Sequence, residues 1–378
     1  MSASKTIKTL SRLLCAALLL GPAIANADYE LNLMPGVTEI SQMQYDLHML
    51  VLWLVTVVGI LVFGVMIYSI IKHRKSKGAQ AAQFHESTTV EVIWTIIPFA
   101  ILVAIAVPAT KGLLEMEDTS KYDMSIKVTG IQWKWEYDYI DEDGVKFISQ
   151  LDEASENARK LGSGVDVTTV ENYLLDVDNP IVVPSNKRVR LLITAADVIH
   201  AWWVPDLGVK RDAIPGFINE SWFYAEKEGT YRGQCAELCG KDHGFMPIVV
   251  KVVSQADYDA WVANQKAAAS ASAAEDTKTF GMDELMARGK GVYDKSCAAC
   301  HGPTGAGVPG VFPAMAGSKI TTGDIAAHID IVVNGKPGTA MAAYRSQLSK
   351  ADLAAVITYE RNAFGNKTGD VVQPTDIK

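Results

Sequence analysis

Residues 234–247 gather two cysteines, a histidine and a methionine into one short segment: Cys235, Cys239, His243 and Met246. Thiolate, imidazole and thioether are soft or borderline donors, a set that selects copper over magnesium or calcium. Cys235 and Cys239 are four residues apart, so a single loop can aim both sulfurs at one point. The earlier run Ile199-His200-Ala201-Trp202-Trp203 offers a second imidazole from a strand. Two bridging thiolates, two imidazoles, one thioether and one backbone carbonyl suffice for a pair of copper ions. An electron shared over two metals alters the bonds at each less than a whole electron on one would, and a dry, stiff loop reduces the rearrangement further. A second signature, Cys297-Ala-Ala-Cys300-His301, reads as a site of covalent haem c attachment. Both thiols can add to the vinyl groups, which holds the adjacent imidazole under the iron, and Gly302, Gly305 and Gly307 allow a tight wrap. A chain with both features is most simply a device for moving electrons.

These residues need elements to position them. The 378-residue length suggests two or three domains. Lys5, Lys8 and Arg12 precede the apolar run 13–20, and Ala25-Asn26-Ala27 supplies a cleavage site, so residues 1–27 read as a secretory signal peptide. A third membrane helix there is disfavoured, because the run is short and broken by Gly21-Pro22; Cys15 is then discarded with the leader. Four cysteines remain, and their metal-type neighbours argue against two disulfides. Residues 28–115 read as a transmembrane hairpin with helices at about 48–71 and 90–108. Lys72, Arg74, Lys75 and Lys77 lie between them, which places that loop in the cytoplasm and the rest of the mature chain outside. Trp53 and Trp94 suit the membrane interface or, equally, packing between the helices.

From 122 to 254 the pattern changes to strands, at 125–130, 187–194, 222–225 and 247–253. Turn signals separate them, which predicts a β-sandwich or barrel with a polar, irregular surface excursion at 152–169. The Ala-, Ser-, Lys- and Glu-rich stretch 263–279 reads as a linker, flexible or weakly helical. Residues 280–366 form a small helical domain. Ser349 and Asp352 resemble a capping box opening a helix with Leu353, Val356, Ile357 and Phe364 largely on one face. Leu285, Gly289, Val292 and Tyr293 have helical spacing before the haem motif, and Gly289 can let two helices approach closely.

The spacing Cys-x-x-x-Cys-x-x-x-His-x-x-Met, with the preceding Asp197-Val-Ile-His200, closely resembles subunit II of haem–copper cytochrome c oxidases. The resemblance spans about 45–253 and includes Val90-Glu91-Val92-Ile93-Trp94-Thr95, Gln132-Trp133-Lys134-Trp135 and Asp212-Ala213-Ile214-Pro215-Gly216. It implies a multidomain fold: a two-helix transmembrane hairpin and an all-β cupredoxin-like Greek-key barrel. Residues from about 282 to 364 resemble an all-α class I cytochrome c domain. The family likeness implies a dinuclear copper centre held by the side chains of His200, Cys235, Cys239, His243 and Met246 and by the backbone carbonyl of Glu237. The Glu237 carboxylate then faces subunit I and holds a magnesium ion there, for which hard oxygen ligation is suited. The likeness makes Trp133 the point where electrons arrive above the copper centre, and Glu91 the mouth of a proton path into subunit I. The family pattern has His before the Gln and Tyr after the Trp, whereas this chain has Ile131 and Lys134, so donor docking is expected to differ. His301 follows the haem cysteines as one axial ligand, and Met315, Met341 and His328 are the candidates for the other; the likeness places the axial methionine at Met341, which leaves Met315 to pack against the haem edge and His328 to read as an exposed helical histidine.

Together these features imply a caa-type subunit II of a bacterial cytochrome c oxidase. Electrons pass from cytochrome c or another periplasmic donor through the chain to subunit I, where O₂ is reduced to water with proton pumping. Subunit I and subunit III are the expected partners, and the bacterial inner membrane the expected location, with both redox domains on its outer side. The net charge of -8 argues against nucleic acid as a partner. His48, His73 and His85 have no assigned role, and no His cluster exists for a separate oxygen-reducing copper. Rival readings are a membrane-anchored copper delivery or storage protein, a quinol-type oxidase subunit and a nitrous-oxide-reductase-like enzyme. The haem motif with His200, the two copper cysteines, and the missing His cluster argue against them in turn.

Overall fold

The computed structural model describes residues 32–80 and 83–378. The expected leader, with Cys15, lies outside the described residues. The chain divides into two units, one of residues up to 35 with 44–86, the other of 36–43 with 87–378.

Most of helix α1 (Glu39–Lys72) makes up the first unit. Pro35-Gly36 ends the preceding segment, and Thr38 starts the helix by accepting the Ser41 N–H at 3.1 Å. At ~1.5 Å per residue a helix of this length exceeds the ~30 Å bilayer core. Val55, Ile60, Leu61 and Phe63 are exposed. After α1, residues Lys75–Lys77 form a short 3-10 turn closed by Gly78.

The second unit begins with the first turn of α1, where the Thr38 hydroxyl donates to the Leu207 carbonyl at 3.1 Å. Helix α2 (Thr88–Met116) is the other long apolar helix and carries Pro98 and Pro108 internally. Both helices overrun the expected spans of 48–71 and 90–108. Their polar flanks, such as 39–47 and 109–116, contain no Gly or Pro that forces an end, apart from the tolerated Gly112.

Ten strands follow: β1 (Met124–Ile131), β2 (Lys134–Tyr139), β3 (Lys146–Ser149), β4 (Ile181–Pro184), β5 (Arg188–Ala195), β6 (His200–Val204), β7 (Val209–Ala213), β8 (Asn219–Tyr224), β9 (Gly229–Cys235) and β10 (Pro247–Val253). They form two five-stranded sheets, ordered β3-β2-β1-β5-β8 and β4-β10-β9-β6-β7. This is the expected cupredoxin-like β architecture. β5 alternates buried and half-exposed residues along its length, the signature of a strand covering a core on one face. Trp135, Tyr137, Trp202 and Phe223 are fully buried between the sheets. Two polar contacts lock the layers: the Tyr139 hydroxyl donates to Val182 O at 2.7 Å and accepts its N–H at 2.9 Å, and Trp202 Nε1 donates to the Tyr137 hydroxyl at 3.2 Å.

The excursion at 152–169 is more ordered than the polar sequence suggests. Asp152 accepts the Ser155 N–H at 3.0 Å and opens helix α3 (Glu153–Ala158). Helix α4 (Gln255–Glu275) covers most of the stretch read as a linker. Alanine-rich composition supports the helix, and Trp261 anchors its start, with its ring 5.1 Å from that of Tyr139.

The C-terminal domain contains α5 (Met282–Ser296), α6 (Ala298–His301), α7 (Lys319–Thr322), α8 (Ile325–Asn334) and α9 (Lys350–Asn362). Ser349 caps α9 by accepting the Asp352 N–H at 3.0 Å. Gly289 is where α5 meets α9: a Cβ there would lie 2.1 Å from the Ala355 carbonyl oxygen. Three expectations need correction. Phe364 lies beyond α9 at φ 57° and folds back onto Tyr293, ring to ring at 4.8 Å, rather than extending the helical stripe. His328 is buried and its Nε2 lies 3.0 Å from Glu360 Oε2, so it is not an exposed helical residue. The domain also runs past 366, because Val372 and Ile377 are buried in its core and Gln373 bonds both the N–H and the carbonyl of Phe280.

The α5–α9 contact makes a direct prediction. Gly289→Ala must push the helices apart or displace the Ala355 peptide, so thermal unfolding of the C-terminal domain should show a loss of about 1–3 kcal/mol. An unchanged melting curve would show that the contact is not tight.

Candidate dinuclear copper and haem sites

The copper loop leaves the sandwich at the end of β9 and returns on β10. Its two ends are clamped, since the Cys235 N–H donates to Met246 O at 2.9 Å and the Ala236 N–H to Ala201 O at 3.0 Å. Trp202 of β6 pairs with Cys235 of β9, which brings His200 beside the loop. The ligand atoms of His200, Cys235 and Cys239 all lie within 4.8 Å of one another, and all three residues are buried. The two sulfurs are 3.8 Å apart, far beyond the ~2.05 Å of a disulfide, and both thiols are free. His200 Nδ1 lies 3.9 Å from Cys235 Sγ, and His243 Nδ1 lies 3.5 Å from Cys239 Sγ. The Glu237 carbonyl oxygen lies 3.4 Å from Cys235 Sγ, while the Glu237 side chain is exposed. Met246 is buried at the base of the loop. Soft sulfurs and imidazoles around one buried point fit copper ions.

Electrostatics match that fit. A hydrogen bond from Cys239, helped by His200, pulls the Cys235 thiol well below its ordinary range. The same pairing, with burial, pushes Cys239 well up. The pair therefore sheds its first proton easily and its second with difficulty. Burial opposes charge on His200, but hydrogen bonds to Asp197 and Cys235 outweigh it and raise its pKa. Burial likewise opposes ionised Asp197, yet hydrogen bonds from His200, the Gln132 N–H and the Val198 N–H lower its pKa.

Several residues support the loop, and all but Trp133 carry no role in the sequence reading. Asp197 Oδ1 sits 2.9 Å from His200 Nε2, which aims Nδ1 at the sulfur. The spacing Asp197-Val-Ile-His200 was the available signal. Gly130 leaves room for the His200 ring, since a Cβ there would come within 2.7 Å of it. Gln132 Nε2 and Trp133 Nε1 both donate to the Cys239 carbonyl, at 2.8 and 3.2 Å. Trp133 is thus hydrogen-bonded directly to the copper loop. Arg159, just past α3, stacks 4.3 Å over Phe245 and pairs with buried Asp242 at 3.6 Å. Arg159 also pairs locally with Glu156 at 2.6 Å, and no local pattern marks its contacts to the copper loop, which lie more than eighty residues away.

In the C-terminal domain Cys297 and Cys300 are free, and His301 follows them at the end of α6. His301 Nδ1 is 2.8 Å from the Pro313 carbonyl, which leaves Nε2 available as a ligand. Burial, reinforced by Glu360, raises the Cys297 thiol well above its ordinary range. Thioether formation removes that titration, so the buried position suits a covalently attached haem. Met315 is buried and its sulfur accepts the Thr321 hydroxyl at 3.9 Å, whereas Met341 is half-buried on the loop between α8 and α9. Glu91 lies in the first turn of α2 and accepts the Ser87 N–H at 3.4 Å.

A buried sulfur–imidazole loop on a cupredoxin-like sandwich, two apolar helices and a Cys-x-x-Cys-His helical domain define an electron-transfer protein of the membrane-anchored class. Sequence comparison assigns each part. Residues 124–253 match the model of the cytochrome c oxidase subunit II periplasmic domain, and 26–111 that of its transmembrane domain. Residues 284–359 match the model of cytochrome c oxidase, cbb3-type, subunit III. A probable cytochrome c oxidase subunit 2 of Rickettsia bellii is 40% identical over 64% of this chain and 86% of its own length. Cytochrome c oxidase subunit 2 of Cereibacter sphaeroides is 36% identical over 60% of this chain and 78% of its own length. The crystal structure of the periplasmic domain of subunit II of cytochrome oxidase of Bradyrhizobium japonicum is 46% identical, covering 39% of this chain and 95% of that one, with a TM-score of 0.34. The chain belongs to the cytochrome c oxidase subunit 2 family and carries in addition a C-terminal cytochrome c domain. Membership implies copper in the β domain and haem in the C-terminal domain.

Two outcomes follow from this geometry. Asp197→Asn should leave the fold intact but weaken copper retention about 10- to 100-fold, measured by competition with a chelator; unaltered retention would remove Asp197 as an orienting group. Ligation by this cluster would need Cys239 as thiolate and His200 neutral, and both have raised pKa values, so each holds its proton to higher pH than usual. Copper loading should therefore release protons and strengthen as pH rises. Titrating copper into weakly buffered apo-protein tests this, and pH-independent uptake without acidification would contradict it.

Proposed function

We propose that this chain is the electron-input subunit of a proton-pumping terminal oxidase, taking electrons from a periplasmic donor at its C-terminal domain and delivering them to subunit I. The observation that carries the reading is a pair of free, buried thiols 3.8 Å apart, each facing an imidazole nitrogen. His200, Cys235, Cys239, His243, Met246 and the Glu237 carbonyl would hold two copper ions, and Cys297, Cys300, His301 and Met341 would hold haem c. Bound there, the copper pair and the haem supply reversible one-electron chemistry at small structural cost. The protein supplies position: β6, β9 and β10 fix the ligands, Asp197 orients His200, and Pro313 O orients His301. Trp133, hydrogen-bonded to the Cys239 carbonyl, is the proposed point where electrons arrive at the loop.

Met341 is favoured as the second axial ligand because its loop is free of the buried core that already holds Met315 and engages its sulfur with Thr321. The exposed Glu237 carboxylate is placed to meet subunit I and contribute to a magnesium site there. Glu91, near the α1–α2 loop whose lysines and arginine mark the cytoplasmic side, is the proposed mouth of a proton path. Oxygen reduction itself lies on subunit I, and subunit III completes the assembly in the bacterial inner membrane.

The test is metal counting and electron paramagnetic resonance on the purified membrane complex. The reading expects a mixed-valence copper signal and one low-spin haem c per chain, the former lost in Cys235→Ser and in Cys239→Ser. A single isolated copper signal, or none, would overturn it. For the axial ligand, Met341→Leu should lower the haem potential and disturb the low-spin spectrum. Should Met315→Leu do so instead, the assignment passes to Met315.

A further inference from the structure

We propose that Lys134 and Lys241 form a two-point latch that seats the haem-attachment segment over Trp133 and so controls how fast the C-terminal domain reduces the copper domain. The latch rests on the electron-delivery role given above to residues 297–301 and Trp133. In the step concerned one electron leaves the C-terminal domain, which is oxidised, and enters the copper domain, which is reduced.

The two lysines approach the segment from different elements. Lys241 sits in the copper loop between Cys239 and His243, with its Nζ 5.9 Å from the Trp133 ring centroid. The same Nζ donates to the carbonyl of Ala299, which lies between Cys297 and Cys300. Lys134 directly follows Trp133 and opens β2. It is only 7% exposed, and its Nζ lies 5.2 Å from the ring centroid of Tyr344. The Tyr344 hydroxyl in turn donates to the carbonyl of Ser296, one residue before Cys297, at 2.8 Å. The copper domain therefore grips the haem-attachment segment through Ala299 and through Tyr344 with Ser296.

Lysine is an unfavourable residue to bury, and here its partner is a ring face rather than a carboxylate. Burial drives its pKa down to about 8. Such a group adds little to the core of a sandwich, and what it does provide is a directional contact to the other domain. Position 134 is also where the chain departs from the tyrosine of the family pattern. The departure becomes intelligible if the surface around Trp133 is adapted to the chain's own haem domain. The Lys241 ammonium beside Trp133 also disfavours a free basic carrier at the same place.

The test uses the intact oxidase complex with Lys134→Met, Lys241→Met, the double variant and Lys241→Arg. Hydrogen–deuterium exchange of peptides covering 296–301 reports docking, and photoinduced reduction of the haem domain followed by copper reduction reports transfer. The double variant should show faster exchange and about tenfold slower intramolecular transfer, as when the docked population falls to about a tenth. Copper and haem spectra should be unchanged, and Lys241→Arg should restore the rate relative to Lys241→Met. Unchanged exchange and transfer in the double variant, with transfer intact in the unmodified complex, overturn the latch alone. Absence of transfer in the unmodified complex, with both signals present, overturns the electron-delivery role and the latch with it.

Discussion

Two thiols held 3.8 Å apart in a buried site resist carrying two negative charges, and the surrounding structure is arranged around that resistance. Each sulfur faces an imidazole nitrogen, and the backbone clamps 235–246 and 236–201 prevent the loop from relaxing by separation. Behind the imidazole, Asp197 accepts from His200 and is itself held ionised by two backbone N–H groups. The orienting carboxylate thus has its own support, a layered arrangement that keeps ligand geometry fixed whatever the charge at the centre. Cations of the right softness would relieve the repulsion, which suits the loop to holding metal.

Much of this was legible in the sequence because it is local. Cys235, Cys239, His243 and Met246 share one loop, and Cys297, Cys300 and His301 share one turn, so spacing alone places them. The two apolar helices and the β character of 122–254 were also legible from composition and period. What was not legible depends on contacts between distant residues. His328 reads as an exposed helical residue until Glu360, thirty-two positions away, is packed against it. Arg159 lies in a polar stretch with no periodicity, and only the folded chain brings it over Phe245. The tail after 366 contains too few apolar residues to announce itself, yet Val372 and Ile377 fill the core of the C-terminal domain. The helix through the alanine-rich stretch was undecided in sequence, since alanine favours a helix but cannot anchor one. Trp261 and Tyr258 provide the anchor, stacked against Tyr139 and each other.

That anchor bears on how the two redox domains work together. A flexible tether of the same length would raise the local concentration of the C-terminal domain without choosing its orientation. Helix α4, 21 residues long in all, instead leaves the sandwich in a direction set by aromatic packing of its first two turns and then continues as a semi-rigid rod. Its far end is tied to the C-terminal domain, where Glu275 pairs with Arg288 at 2.9 Å, and Arg288 also holds Asp352 of α9 at 2.7 Å. The rod is therefore fixed at both ends, and the search for a docked arrangement is restricted before any contact at Trp133 is made.

Restriction of that kind changes what the contact surface has to do. A diffusing partner must overcome several kcal/mol of lost translational and rotational freedom, which calls for a large interface or strong charge complementarity. A pre-oriented domain needs neither. Lys241 to a single carbonyl and Lys134 to a single ring face are weak by the standards of independent proteins, yet enough to favour one pose among the few the rod permits. Weakness also suits the proposed role, in which the same surface would release when the C-terminal domain turns to an external donor. A loop braced against rearrangement and a tethered domain held by contacts of modest strength would both serve the proposed electron transfer, which calls for speed at small driving force.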